Sequence, residues 1–290
     1  METKQYKKLS VINNWLFKKI FAAPANKRPI IHLIEDILGL EVKDLEILNP
    51  FDISNFRSQN AEELQYTECD VCVRLDDNTM VVVEVQREPQ KYFMERAVYY
   101  NTRAFGRNHG NVSLARMDQK LHGWKFSSLR PTYALSIIDF NYFADDRAFR
   151  KLPLCDPISS ERLLVDDGRH ALLSPAFLEL RKPGTGKIKM WQDCLLYGIA
   201  TDDAPEYIKE IIQIADYANW SEEERYMFDQ VEKAREDAAA TRRYAMEQSR
   251  KEGIEQGILQ TVKDLLQVGV PTEQIRKGTG LTEQQIQALQ

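Results

Sequence analysis

Cysteine and histidine are scarce, with four of each in 290 residues. So few cysteines make no disulfide framework, which fits a reducing compartment. They make no zinc site either. Cys69 and Cys72 have CxxC spacing, but no second cysteine pair or nearby histidine completes a ligand set. On a strand the two thiols would point to opposite faces. Of the dispersed histidines His32, His109, His122 and His170, only His109 and His122 fall in a basic segment, where they could approach a polyanion. Long apolar runs are also missing. Stretches such as Met80–Val83 fall far short of the ~20 residues a membrane span needs. The first eight residues are polar and charged, with no apolar stretch following, which argues against a secretory signal. The expectation is a cytoplasmic protein with no membrane partner. A phosphate loop is excluded too. Pro183-Gly-Thr-Gly-Lys187 has Arg181 where the first glycine belongs and Ile188 where Ser or Thr should follow.

The composition present is that of an ordinary soluble chain: 43% hydrophobic, 29% charged, net charge −5. That balance excludes a wholly basic nucleic-acid binder, but the charge is uneven. Residues 1–30 hold seven Lys/Arg against Glu2, and residues 96–130 hold seven against Asp118. Residues 201–240 hold twelve acids and four bases. A polyanion could lie over the first two segments and avoid the third. The alternative is that each block is a solvated helix face.

Trp15–Phe21 has helical spacing, interrupted by Pro24 and Pro29. Ile30–Leu38 resumes it and stops near Gly39. Leu45–Phe51 is a short strand or its approach. Asp70–Gln86 reads as a β-hairpin, Tyr92–Arg107 as a helix and Tyr133–Phe140 as a buried strand. Leu163–Leu180 holds a further strand or helix pair. Gln192–Ala200 and Glu206–Tyr217 look helical, and Ser221 to about Gly253 is a long charged helix. Short helices are expected at Ile258–Val268, from Thr272 and from Thr282, both threonines serving as caps. The order of elements predicts a mixed α/β sheet flanked by helices, with residues 1–220 as the main domain and 221–290 as a helical C-terminal extension.

The hairpin carries the chemistry. A three-residue loop at Asp76-Asp77-Asn78 pairs Leu75 with Thr79 and, counting back, Asp70 with Glu84. Such a loop needs a left-handed residue, which Asn78 tolerates. A two-residue loop would slip the register by one and turn Glu84 to the other face. Opposed side chains have Cβ atoms ~4.5–5.5 Å apart, so two carboxylates there repel unless a cation lies between them. Mg²⁺, a hard ion that takes oxygen ligands, resolves the conflict, with the Val85 carbonyl as a further ligand. Gln86, on the same face, could orient a water or a phosphate oxygen. Arg96, Arg103 and Arg107 on the following helix are candidate phosphate contacts. The competing reading is a solvated hairpin face with a charged helix beside it.

Asp70…Glu84-Val85-Gln86 resembles the PD-(D/E)XK nuclease signature in the variant with Gln in place of the final Lys. Phe17-Lys18-Lys19-Ile20-Phe21, Arg96-Ala97-Val98-Tyr99-Tyr100, the strand at Tyr133–Phe140, Glu252–Gly257 and Thr279–Glu283 extend the likeness over nearly the whole chain. Together they resemble the recombination-promoting nuclease and transposase family. The resemblance implies a restriction-endonuclease-like core of helix, three strands, helix and strand. It also implies metal-dependent hydrolysis of DNA in the service of recombination or mobile elements, with Mg²⁺ (or Mn²⁺ or Ca²⁺) as cofactor. Asp70 and Glu84 would be the metal ligands and Gln86 would stand in the lysine's place. Asn14 stands where members often carry an acid. The alternative is a weak or inactive nuclease fold acting as a DNA-binding or protein-interaction module. The tail reads as a surface for self-association through Ile254, Ile258, Val262 and Leu265, or else as a DNA-reading helix-turn-helix.

Overall fold

Six strands among the described residues form one sheet in the order β1-β2-β3-β4-β6-β5. They are β1 (Leu45–Ile47), β2 (Val71–Leu75), β3 (Met80–Gln86), β4 (Thr132–Ile138), β5 (Phe149–Lys151) and β6 (Leu173–Glu179). The computed structural model describes residues 9–49, 70–107, 109, 128–162, 164 and 171–289. Pro50 and Phe51, Cys69, His122, His170 and residues 110–127 of the second basic block lie outside them.

β3 pairs antiparallel with β2 and parallel with β4, and β4 pairs parallel with β6. Parallel strands are covered on both faces, so they lose the polar alternation of an exposed hairpin. That is why Met80–Val83 is buried without a break and every residue of β4 is buried. The crossover between β3 and β4 carries α3 (Phe93–Gly106). Its buried stripe is Phe93, Ala97, Asn101 and Ala104. Phe93 and Ala97 pack on Ile138 and Phe177, and Ala104 packs on Cys72, Met80 and Val82.

Preceding the sheet, α1 (Asn14–Phe21) is capped by Asn13, whose side chain accepts from the Leu16 amide at 3.2 Å. It buries Trp15, Leu16, Phe17, Lys18, Ile20 and Phe21. α2 (Arg28–Leu33) opens on Pro29 and runs into a π-helical turn, Ile34–Leu38, closed by left-handed Gly39.

After the sheet come α4 (Gly186–Tyr197), α5 (Glu206–Ala215), α6 (Glu222–Gln267), α7 (Thr272–Thr279) and α8 (Glu283–Gln287). α4 begins six residues before the expected start and stops at Gly198, which adopts φ +60° beside the Leu9 carbonyl. α6 runs through Gly253 and Gly257 to Gln267, absorbing the separate helix expected at Ile258. Each interior glycine costs about 1 kcal/mol relative to alanine, which the surrounding strong helix formers offset. Thr272 caps nothing, since Pro271 takes the cap position. Thr282 does cap, in a reciprocal box with Gln285.

The chain divides into two compact units, Met1–Phe228 and Asp229–Gln290, so the division falls inside α6. The first turns of that helix are stitched into the larger unit. Trp15 meets Trp220 at 5.0 Å and Phe228 at 5.9 Å between ring centroids, and Lys19 pairs with Glu224 at 2.8 Å. In the smaller unit Val262, Ile275 and Ile286 form a buried cluster with Ile258 and Leu265 against it. Three of the four side chains expected to serve self-association are therefore used within the chain. Ile254 stays exposed.

Candidate active site

The hairpin has the three-residue loop. The Leu75 amide donates to the Thr79 carbonyl at 2.9 Å, the Asn78 amide donates to the Leu75 carbonyl at 2.9 Å, and Asn78 sits at φ +67°. Val71 pairs with Val83 and Cys72 with Val82, so the next pair outward is Asp70 with Glu84. Both acids therefore share the sheet face on which Cys72 and Val82 meet α3.

Asp70 lies just past the end of the β2 ladder, where the β3 amides on the β2 side have run out of strand partners. Its Oδ2 accepts from the Val85 amide at 2.7 Å, so that N–H is satisfied by a side chain. The contact of Val85 seen here is its amide rather than the carbonyl expected as a metal ligand. Asn49 fixes the backbone that leads from Asp70 into β2, on either side of Val71. Its Oδ1 accepts from the Cys72 amide at 2.7 Å and its Nδ2 reaches the Asp70 carbonyl at 3.5 Å. Oδ1 of Asp70 faces the Lys18 ammonium at 3.7 Å.

Glu84 gives one oxygen to Arg96, Oε1 to Nη2 at 3.2 Å. Its other oxygen, Oε2, is buried and has no hydrogen-bond partner. A buried acceptor left unmade costs about 1–3 kcal/mol, more when charged, so Oε2 is an oxygen suited to hold a cation. Burial and the neighbouring Asp70 carboxylate push Glu84 up to about 8, against the pull of Arg96 and Lys18. Burial raises Asp70 as well, opposed chiefly by Lys18 and the Val85 amide. Two carboxylates that resist ionising together are the electrostatic counterpart of the unmade bond. A divalent cation fits both observations. Among the described residues no third Asp, Glu, His or Cys joins the pair, so the remaining ligands would be main-chain and water oxygens, the coordination Mg²⁺ favours.

Gln86 is buried on the same strand, and its Nε2 donates to the Glu88 carbonyl at 2.9 Å. Arg96 is engaged by Glu84, Gln90 and the Tyr100 hydroxyl, so it lies at the acids themselves. Arg107 sits at the far end of α3 with Nη1 3.4 Å from Cys72 Sγ, and Arg103 is exposed between them. Asn14 is exposed at the start of α1, one turn before Lys18. Sequence reasoning missed Lys18 and Asn49. Lys18 belonged to a quoted motif, but nothing local says that its ammonium turns inward, and Asn49 acts across 21 residues of chain.

An α/β core with an acid at the head of one strand and an acid-x-amide triplet on its partner defines a nuclease-type fold. The chain belongs to the PD-(D/E)XK nuclease family transposases, whose family model matches residues 11–245. Its role is therefore nuclease- or transposase-related. No curated protein and no solved structure matches the chain. Among the described residues no helix is long and apolar enough to cross a membrane.

Proposed function

We propose that this protein is a cytoplasmic, metal-dependent endonuclease that hydrolyses phosphodiester bonds of DNA, in the service of recombination or mobile elements. The observation that carries the reading is the unpartnered, buried Oε2 of Glu84 beside the buried Asp70 carboxylate. Asp70 and Glu84 would hold Mg²⁺, or Mn²⁺ or Ca²⁺ in its place. When bound, the metal would lower the pKa of a water, polarise the phosphoryl oxygen and offset developing charge. The chain's own residues do the positioning. The Val85 amide and Asn49 hold Asp70 in place, and Arg96 holds Glu84. Gln86 cannot act as a general base, since an amide does not take up a proton near neutral pH. Its part is to fix the turn after β3. Arg103 and Arg107 extend positive charge along α3, where a DNA backbone would run.

The test is nicking of supercoiled plasmid with and without Mg²⁺ or Mn²⁺, comparing wild type with Asp70→Ala and Glu84→Ala. Wild type should nick only with metal, and each variant should lose at least about a hundredfold. A second reading, a non-catalytic DNA-binding module, is favoured by Asn14 and Gln86. DNA binding without cleavage by the wild type would establish it and sink the enzyme.

A further inference from the structure

On α1 the chain buries a lysine that faces the acids. The Lys18 side chain is 9% exposed, and its Nζ stands 3.7 Å from Asp70 Oδ1. Lysine on an amphipathic helix usually extends its stem along apolar surface and keeps its ammonium in water. Drawing that charge inward costs several kcal/mol unless anions offset it, and here the acid pair does so. Arg96, the other cation at the pair, has a side chain 41% exposed. Among the described residues the buried cation at the acid pair is therefore Lys18.

The strand supplies none. Gln86 stands where the resemblance expects lysine, and its amide is spent on the Glu88 carbonyl. Asn14, one turn before Lys18, carries no charge. The acid pair thus receives its buried positive charge from a different element, before the sheet in the chain.

We propose that Lys18 does from α1 what a lysine two residues after Glu84 would do from β3. It is the counter-charge of the Asp70–Glu84 pair and, once metal enters, the ammonium that faces the scissile phosphate. This rests on reading Asp70 and Glu84 as the metal-holding acids. A compact ammonium on a four-carbon stem suits both tasks, since it can turn from carboxylate to phosphate without moving the helix. Before metal binds, it offsets the repulsion between the acids. With a divalent cation held by the acids, the Lys18 ammonium would be repelled from them and would face an incoming anion.

A structural lysine and this one differ in the sign of one measurement. Mn²⁺ binding to the full chain, without DNA, is followed by calorimetry in wild type and Lys18→Met. Removing a competing cation should tighten Mn²⁺ by about threefold or more. Plasmid nicking by the same variant should fall about a hundredfold. Moving the charge back to the strand, in Lys18→Met/Gln86→Lys, should return Mn²⁺ affinity towards wild type and recover at least about a tenth of wild-type nicking. Unchanged or weaker Mn²⁺ binding in Lys18→Met, or nicking equal to wild type, overturns the proposal. If wild type nicks nothing, the nuclease reading fails alone, and the Mn²⁺ comparison still decides whether Lys18 is the counter-charge. Should Lys18→Met fail to fold, the double variant decides. A folded, Mn²⁺-binding double variant supports a charge that can be relocated, and an unfolded one overturns it.

Discussion

Glu84 keeps one oxygen for Arg96 and leaves the other bare in a buried place, and that arrangement sets a pH dependence. Its folded pKa lies at about 8, above the usual carboxylate value of 4.5. The metal-free folded state thus binds this proton more tightly than the unfolded chain does. The stability this gives is fully present below about pH 4.5 and is lost as pH rises through about 8. Thermal melts of metal-free protein should therefore fall across that window, and Glu84→Gln should flatten the fall. A variant profile parallel to wild type would refute the assignment. Divalent metal competes with the same proton, so the rise in Tm on adding Mn²⁺ should be larger at pH 8 than at pH 6. Gly198 is a purely structural counterpart. A Cβ there would stand 2.6 Å from the Leu9 carbonyl oxygen, at a φ of +60°. Gly198→Ala should cost about 2 kcal/mol or more in chemical denaturation.

Whether the two acids meet at all is decided by the β2–β3 turn. Asn78 at φ +67° closes a loop of three, and deletion of Val81 would keep that loop while shortening the strand between it and Glu84 by one residue. The register would slip by one and carry Glu84 to the opposite face. We expect that deletion to abolish metal-stimulated nicking while leaving the helical circular dichroism near wild type; retained nicking would show that the pairing is not what joins the acids. Asn78→Val, a β-branched residue forced into the left-handed region, should cost about 1–2 kcal/mol. This hairpin was legible in the sequence because everything that fixes it lies within 17 residues: alternation, turn residues and spacing. The Thr282 cap was legible for the same reason. Other features were not. Lys18 turns inward only because Asp70 arrives from 52 residues away. β5 enters the sheet through antiparallel pairing with β6, a contact that no local pattern announces. α6 passes two glycines that read as stops, because a glycine ends a helix only where the chain takes it into the left-handed region, as at Gly198.

Taken entire, the molecule places the Asp70–Glu84 pair, α1 and the α3 arginines in the unit ending at Phe228, and gives the smaller unit a core of its own. Helices as short as α7 and α8 do not persist alone in water, so they depend on Val262, Ile275 and Ile286 burying one another. Ile286→Asp should melt both, visible as lost helical signal at 222 nm and faster proteolysis beyond Gln267, with metal-stimulated nicking kept. Loss of nicking would tie the smaller unit to the chemistry. The chain's tolerance for changes of length also differs from place to place. In an exposed segment an added residue is absorbed, but the stretch of β3 between Thr79 and Glu84 obeys parity. Because the pleat alternates, a change by one residue separates Asp70 from Glu84 and a change by two brings them back to one face. Insertions and deletions that descendants of this gene can carry there should come in pairs, as codons come in threes.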